Sequence, residues 1–218
     1  MIVFENVTKV YHTRSGHRRV LDDVSFSIGR GRSIGIVGRN GAGKSTLTRL
    51  MAGIEFPTSG QVRREMSVSW PLGFGGAFQS SLTGADNARF IARIYRKPVD
   101  YVLGMVEDFA GLGDYYRMPV KTYSSGMKAR LAFAVSLAVD FECYIVDEIT
   151  SVGDASFRDR CAQALRLRRE QGTLIMVSHD PNTLREHCES GGLLQDGALR
   201  FFDTIDETIE AYHGMLAV

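Results

Sequence analysis

The chain lacks any apolar run approaching the ~20 residues that a bilayer-spanning helix needs. Any membrane role would therefore be exercised through a partner. Cysteine is scarce: only Cys143, Cys161 and Cys188, far apart and odd in number. This argues against a disulfide framework or a metal knuckle and for a reducing compartment. An excess of one charge is missing too, since 26 Lys and Arg stand against 25 Asp and Glu for a net +1, with the basic residues scattered. Such a balance gives no footing to a nucleic-acid partner. The N-terminus, Met1-Ile2-Val3-Phe4-Glu5-Asn6, carries an acid early and shows no basic-then-apolar leader pattern. There is no internal repeat and no low-complexity linker.

What remains is an ordinary globular composition, 44% hydrophobic and 23% charged, over 218 residues. That length suits one α/β domain with a smaller insertion. Residues 3–11 alternate loosely and predict an edge strand, and 24–28 alternate clearly before the turn Gly29-Arg30-Gly31. Residues 33–37 read as a buried strand running into a glycine-rich loop. Leu47, Leu50 and Met51 then have helical spacing up to Gly53, and Pro57-Thr58-Ser59-Gly60 turns into another strand. Residues 80–138 are mostly helical and predict an insertion in the α/β core. Leu103, Val106 and Phe109 line one helix face there, and Leu131, Val135 and Ala138 line another. Beyond it, strands at 144–146 and 174–177 flank a helix at 156–171, a pattern that predicts a mainly parallel core sheet. An Asp196-Gly197 turn makes a hairpin of 193–201, and an amphipathic helix at 207–212 follows.

Gly38-Arg39-Asn40-Gly41-Ala42-Gly43-Lys44-Ser45 matches the phosphate-loop pattern G-x-x-x-x-G-K-[ST] completely, between a predicted strand and a predicted helix. Its glycines let backbone N–H groups converge on phosphate oxygens, and the helix N-terminus adds its dipole. Lys44 would reach the β- and γ-phosphates, Ser45 would ligate Mg²⁺, and Thr46 adds a hydroxyl. Cys143-Tyr144-Ile145-Val146 ends in Asp147, which puts a carboxylate at the C-terminal end of a buried strand, where it can hold the Mg²⁺ shell. Glu148, one residue on, is placed to polarise an attacking water as general base. Strands ending in solvated acids are common, and it is the upstream loop that gives this pair its meaning. His179 follows another strand end and can donate to the γ-phosphate or to developing negative charge. A lone histidine at a strand end is more often structural, and His12, His17, His187 and His213 have no comparable context.

Between the two nucleotide motifs lies Tyr123-Ser124-Ser125-Gly126-Met127. With the Walker A loop at 38–45, the Walker B strand at 143–148 and His179 in this order, the chain resembles the ABC-type ATPases from about Ile2 to Tyr212. The resemblance implies a P-loop ABC-ATPase fold: a mainly parallel core sheet, an N-terminal antiparallel β subdomain and a helical insertion at about 80–138, all in one domain. It implies ATP and Mg²⁺ as ligands. Gln79 resembles the Q-loop glutamine that touches Mg²⁺ or water, Val152-Gly153-Asp154 the D-loop, and Tyr11 the aromatic that stacks on adenine. In the family, the signature donors (here Ser124, Ser125, Gly126 and Met127) bind the γ-phosphate held by a second subunit, so a homodimer sandwiching ATP is expected.

Ser125 and Met127 depart from the common Leu-Ser-Gly-Gly-Gln signature, and Ile149 stands where proline is usual. Together with Trp70-Pro71-Leu72-Gly73, Phe78-Gln79-Ser80-Ser81-Leu82-Thr83-Gly84 and Val152-Gly153-Asp154, they resemble the ATPase subunits of capsular-polysaccharide exporters. Exporters of O-antigen and teichoic acid belong to the same branch and are the alternative cargo reading. The resemblance implies permease partners in the inner membrane, a peripheral place on its cytoplasmic face, and polysaccharide contacted only through the permease. Residues 70–78 with Phe90, Ile91, Ile94 and Tyr95 are expected to form the groove that receives the permease. A soluble regulatory ATPase of the same type would usually carry fused ATPase domains, coiled-coil insertions or basic extensions, and none is present. A nucleotide switch protein without a membrane partner would need neither the signature nor Gln79 and His179.

Overall fold

The computed structural model describes residues 1–13, 16–72, 78–147 and 155–217. Contacts divide the chain into two units, one of Met1–Pro71, Glu142–Glu148 and Arg166–Val218, the other of Leu72–Phe141 and Ile149–Leu165.

The first unit holds both sheets. In the three-stranded antiparallel sheet, β1 (Ile2–Thr13) runs between β2 (Gly16–Ile28) and β4 (Ser59–Arg64). The strand expected at an edge is therefore the middle one. Its loose alternation has a cause: the β1–β2 register shifts between Phe4 and Val7, between Val7 and Lys9, and between Lys9 and Val10. The first of these puts its extra residue in β1 and so exchanges which β1 side chains face inward, while the other two put theirs in β2.

The five-stranded sheet has the order β5-β6-β3-β7-β8, with β3 at Ser33–Val37, β5 at Cys143–Asp147, β6 at Thr173–Val177, β7 at Ser190–Gln195 and β8 at Ala198–Phe202. The first four run parallel, and β8 turns back antiparallel. Every residue of β3 and β6 is buried, as expected of parallel strands covered on both faces. Ile34, Ile36, Ile145, Ile175 and Val177 share a core with Leu47, Leu50 and Met51 of α1 (Lys44–Ala52). Each such side chain contributes roughly 1.5–3 kcal/mol by leaving water. α6 (Pro181–His187) was not expected. It is capped by the Asp180 carboxylate, which accepts from the Asn182 and Thr183 N–H groups at 3.1 and 3.2 Å. α7 spans Ile205–Leu216, longer than the predicted 207–212, and starts in a capping box between Thr204 and Glu207.

The second unit is helical: α2 (Gly84–Ile94), α3 (Val99–Ala110), α4 (Ser125–Val139) and the start of α5 (Ala155–Gln171). Thr83 caps α2 by accepting from Asp86 N–H at 3.0 Å. The buried stripe of α3 is Val102, Val106 and Ala110; it shares Val106 with the predicted set, while Val102 and Ala110 stand in for Leu103 and Phe109. Phe109 is only half-buried and instead stacks on Phe133 at 5.7 Å, with Phe157 edge-on to both. α4 has no stripe, since every residue from 131 to 139 is buried. From Leu131 on it is enclosed on all sides, while residues 125–130 are exposed or half-buried.

Candidate functional site

Because β3, β5 and β6 are parallel, the segments leaving them emerge on one edge of the sheet, where ligands of such folds bind. β3 feeds the loop of residues 38–43, β5 ends at Asp147, and Ser178-His179 follows β6. At the start of α1, Gly43 takes φ 109° and offers no side-chain cap. A Cβ there would lie 2.4 Å from Val20 Cγ1, so only glycine fits. Gly43 brings no side chain of its own to the first-turn N–H groups, which leaves room beside them for a ligand.

The loop's carbonyl groups are held by cations. Lys44 is buried, and its ammonium donates to Gly38 O at 2.7 Å and Arg39 O at 3.1 Å. Arg18, on β2, donates from Nη2 to Gly41 O at 2.9 Å. Carbonyl oxygens occupied in this way repel an incoming anion less. Sequence reading missed Arg18, because nothing in a local window links it to a residue 23 positions away.

A cleft of about 710 Å³, within the usual range for ligand sites, brings together Tyr11, Asn40, Gly41, Gly43, Lys44, Ser45, Thr46 and Asp147. Arg18 and Val20 also line it. Ser45 is exposed and Asp147 half-buried, so a hydroxyl and a carboxylate face one space beside the lysine. That all-oxygen donor set suits Mg²⁺. Tyr11 is a half-buried wall of the cleft, and its hydroxyl lies 2.8 Å from Glu55 Oε2 and 3.2 Å from Thr46 Oγ1. His179 is exposed and lines a neighbouring cleft of about 430 Å³ with Arg39, Asn40, Tyr212 and Leu216. Asn40 borders both clefts. Ala42 does not line the main cleft. It bonds the loop to itself, its N–H donating to Arg39 O at 3.1 Å.

Within the helical unit, Gln79 is exposed and its backbone is clamped by buried Asn87. The Asn87 carboxamide accepts from Gln79 N–H at 2.9 Å and donates to Gln79 O at 3.1 Å. Sequence reading missed Asn87 as well. In the signature string, exposed Ser124 caps α4 by accepting from Met127 N–H at 3.2 Å, and Ser125, Gly126 and Met127 form the first turn. Tyr123 is buried and donates to Tyr115 O at 2.5 Å, so the residue that replaces the usual leucine anchors the string.

Of the expected docking groove, Trp70 and Leu72 are buried, as is Ile91 in the helical unit, and these three are core. Phe90, Ile94 and Tyr95 are exposed. Glu148, the string Val152-Gly153-Asp154 and the stretch 73–77 lie outside the described residues. All three cysteines are buried, and burial pushes their thiols up to about 12. Among the described residues no helix is long and apolar enough to cross a membrane.

The ABC transporter family pattern matches residues 21–151. The chain is 52% identical to the capsule polysaccharide export ATP-binding protein CtrD of Neisseria meningitidis serogroup B, with 99% of this chain and 100% of that protein covered. It is 51% identical to the ATP-binding protein BexA of Haemophilus influenzae over 98% of each chain. It is 44% identical to the polysialic acid transport ATP-binding protein KpsT of Escherichia coli, over 97% of this chain and 96% of that one. Among solved structures, a dimeric post-hydrolysis state of the ATP-binding cassette MJ0796 bound to ADP and Pi superposes with a TM-score of 0.79. That match covers 93% of this chain and 98% of the other at 23% identity, a likeness of fold. With the phosphate loop set on an α/β core, the family pattern across both nucleotide motifs and relatives matched end to end, this chain belongs to the ABC transporter family of ATPases.

Proposed function

We propose that this chain is the ATP-binding and ATP-hydrolysing subunit of an exporter of capsular polysaccharide, working as a homodimer with ATP held between subunits. The observation that carries the nucleotide reading is the convergence of Lys44, Ser45, Tyr11 and Asp147 on one cleft. The cargo reading is supported by the full-length likeness to proteins named for capsule polysaccharide export and polysialic acid transport. The protein sits peripherally on the cytoplasmic face of the inner membrane against permease subunits, and exposed Phe90, Ile94 and Tyr95 of the helical unit are the surface offered to them. The signature-bearing segment 80–138 is the subdomain inserted in the single ATPase domain.

In this reading Tyr11 stacks on the base, residues 38–46 hold the phosphates, and Lys44 turns from its backbone carbonyls toward the β- and γ-phosphates. Ser45 and Asp147, with Gln79, would hold Mg²⁺, which supplies charge neutralisation at the phosphates. Glu148 takes a proton from the attacking water, and His179 donates to the charge that develops on the transferred group. Ser124, Ser125, Gly126 and Met127 offer donors to the nucleotide of the other subunit.

Glu148→Gln tests the scheme. ATP binding is retained, turnover falls by roughly 10²–10⁴-fold, and an ATP-bound dimer accumulates on size exclusion. A deletion strain regains surface polysaccharide with the wild-type chain and not with this variant. Wild-type hydrolysis by Glu148→Gln would remove the base assignment, and undiminished surface polysaccharide in the deletion strain would remove the cargo.

A further inference from the structure

Tyr11 is held by more than its strand. Its hydroxyl has one proton and two oxygen neighbours, Glu55 Oε2 at 2.8 Å and Thr46 Oγ1 at 3.2 Å. An ionised carboxylate only accepts, so Tyr11 donates to Glu55 and the Thr46 hydroxyl donates to Tyr11. Glu55 is gripped in turn on both oxygens. Lys9 Nζ lies 3.0 Å from Oε1 and also donates to Phe56 O at 2.7 Å, while Arg49 Nε lies 3.2 Å from Oε2. Lys9 also stands over the Tyr11 ring, 5.1 Å from its centroid. The side chains of Lys9 and Glu55 are 13% and 22% exposed, so this cluster is shielded much more than an ordinary surface ion pair. Burial pushes the Glu55 carboxyl up, and the hydrogen bonds from Tyr11, Lys9 and Arg49 more than offset that, holding it below the usual carboxylate value.

The cluster joins the two ends of the cleft. Thr46 lies on α1 two residues after Lys44, at the phosphate end, and Tyr11 is the wall assigned to the base. We infer that Glu55 is a positioning residue, which with Lys9 and Arg49 sets the Tyr11 ring at a fixed distance from the phosphate loop and leaves one ring face for a flat purine. The inference rests on the nucleotide reading of this cleft. It also assigns the ion pairs around Glu55 a role in recognition of the base and none in recognition of phosphate.

Isothermal titration calorimetry with ATP, adenosine and inorganic tripolyphosphate tests it. Glu55→Ala weakens ATP and adenosine by about tenfold each, the scale of a lost aromatic stack, and leaves tripolyphosphate unchanged. Glu55→Gln, which keeps an acceptor for the tyrosine proton, recovers most of the loss. Tyr11→Phe weakens ATP at least as much, since it also gives up the bonds from Thr46 and Arg49, and the double variant Tyr11→Phe/Glu55→Ala loses clearly less than the sum of the two, because both cut the Tyr11–Glu55 bond. Equal weakening of ATP and tripolyphosphate, or additive losses in the double variant, would overturn the inference by making Glu55 a general prop of the fold. Lys44→Ala separates the two readings: it lowers ATP and tripolyphosphate together. A wild-type protein that bound neither would refute the nucleotide reading, and the role of Glu55 with it.

Discussion

The loop that opens α1 and the string that opens α4 use the same kinds of residue, yet they finish their helices in opposite ways. At α1 the preceding glycine sits at φ 109° with no side-chain cap, and the adjoining lysine is buried. At α4 the preceding serine caps its own helix through Met127 N–H, and it is exposed. Gly126 there has open space, the nearest atom to an added Cβ being Ser124 Oγ at 3.9 Å. The first helix end has a glycine in place of a capping side chain, which suits it to an anion. The second is capped by its own serine, which leaves the proposed contact with another subunit's nucleotide to Ser125, Gly126 and Met127.

The two glycines give the sharpest way to break this contrast. Gly43→Ala forces a side chain into a left-handed backbone and into Val20 Cγ1, costing roughly 3 kcal/mol or more. Calorimetry should then find ATP affinity down by more than about 100-fold, and a variant that melted and bound like wild type would erase the distinction between the loops. Ser124→Ala has a smaller effect. It removes a cap worth about 1 kcal/mol, so the melting temperature drops by about 2–4 °C, and in the proposed dimer hydrolysis falls as well, through the loss of a donor to the other subunit's nucleotide. Full hydrolysis with only the thermal shift would reduce Ser124 to a cap. Gly126→Ala has the smallest effect and the opposite sign on stability. Exchanging glycine for alanine inside a helix gains up to about 0.8 kcal/mol, while in the proposed dimer the added methyl blocks close approach of the other subunit's phosphate, so the variant melts slightly higher and hydrolyses more slowly. If it were both more stable and fully active, Gly126 would have no place in the contact between subunits.

Much of the nucleotide cleft was readable in advance because its parts are contiguous. Residues 38–46 form one string between a strand and a helix, and Asp147 closes an apolar run. What escaped was whatever depends on pairing through space. Glu55 meets Tyr11 across 44 positions and Arg18 meets Gly41 across 23, and no periodicity encodes either. β1 was misplaced to an edge because alternation reports which face is buried and is silent on how many neighbours a strand has; here β4 supplies the second one. Of the predicted α3 stripe only Val106 is fully buried, and Phe109 gives way to Ala110 because, large and apolar, it serves an aromatic cluster, with the Arg160 guanidinium 5.0 Å from its ring. α6 went unseen because its seven residues are too short to show a period, although Asp180-Pro181 ahead of Thr183 is a legible start signal.

The burial of Cys143, Cys161 and Cys188 has a practical side. Burial both raises these thiols and shields them from solvent, so little thiolate is present at neutral pH. To thiol-directed chemistry the native chain is thus a blank. A single cysteine introduced on the exposed face of α2 or beside Ser124 would be the sole reporter, and the approach of the proposed permease or second subunit could be followed by its shielding without first removing a native residue.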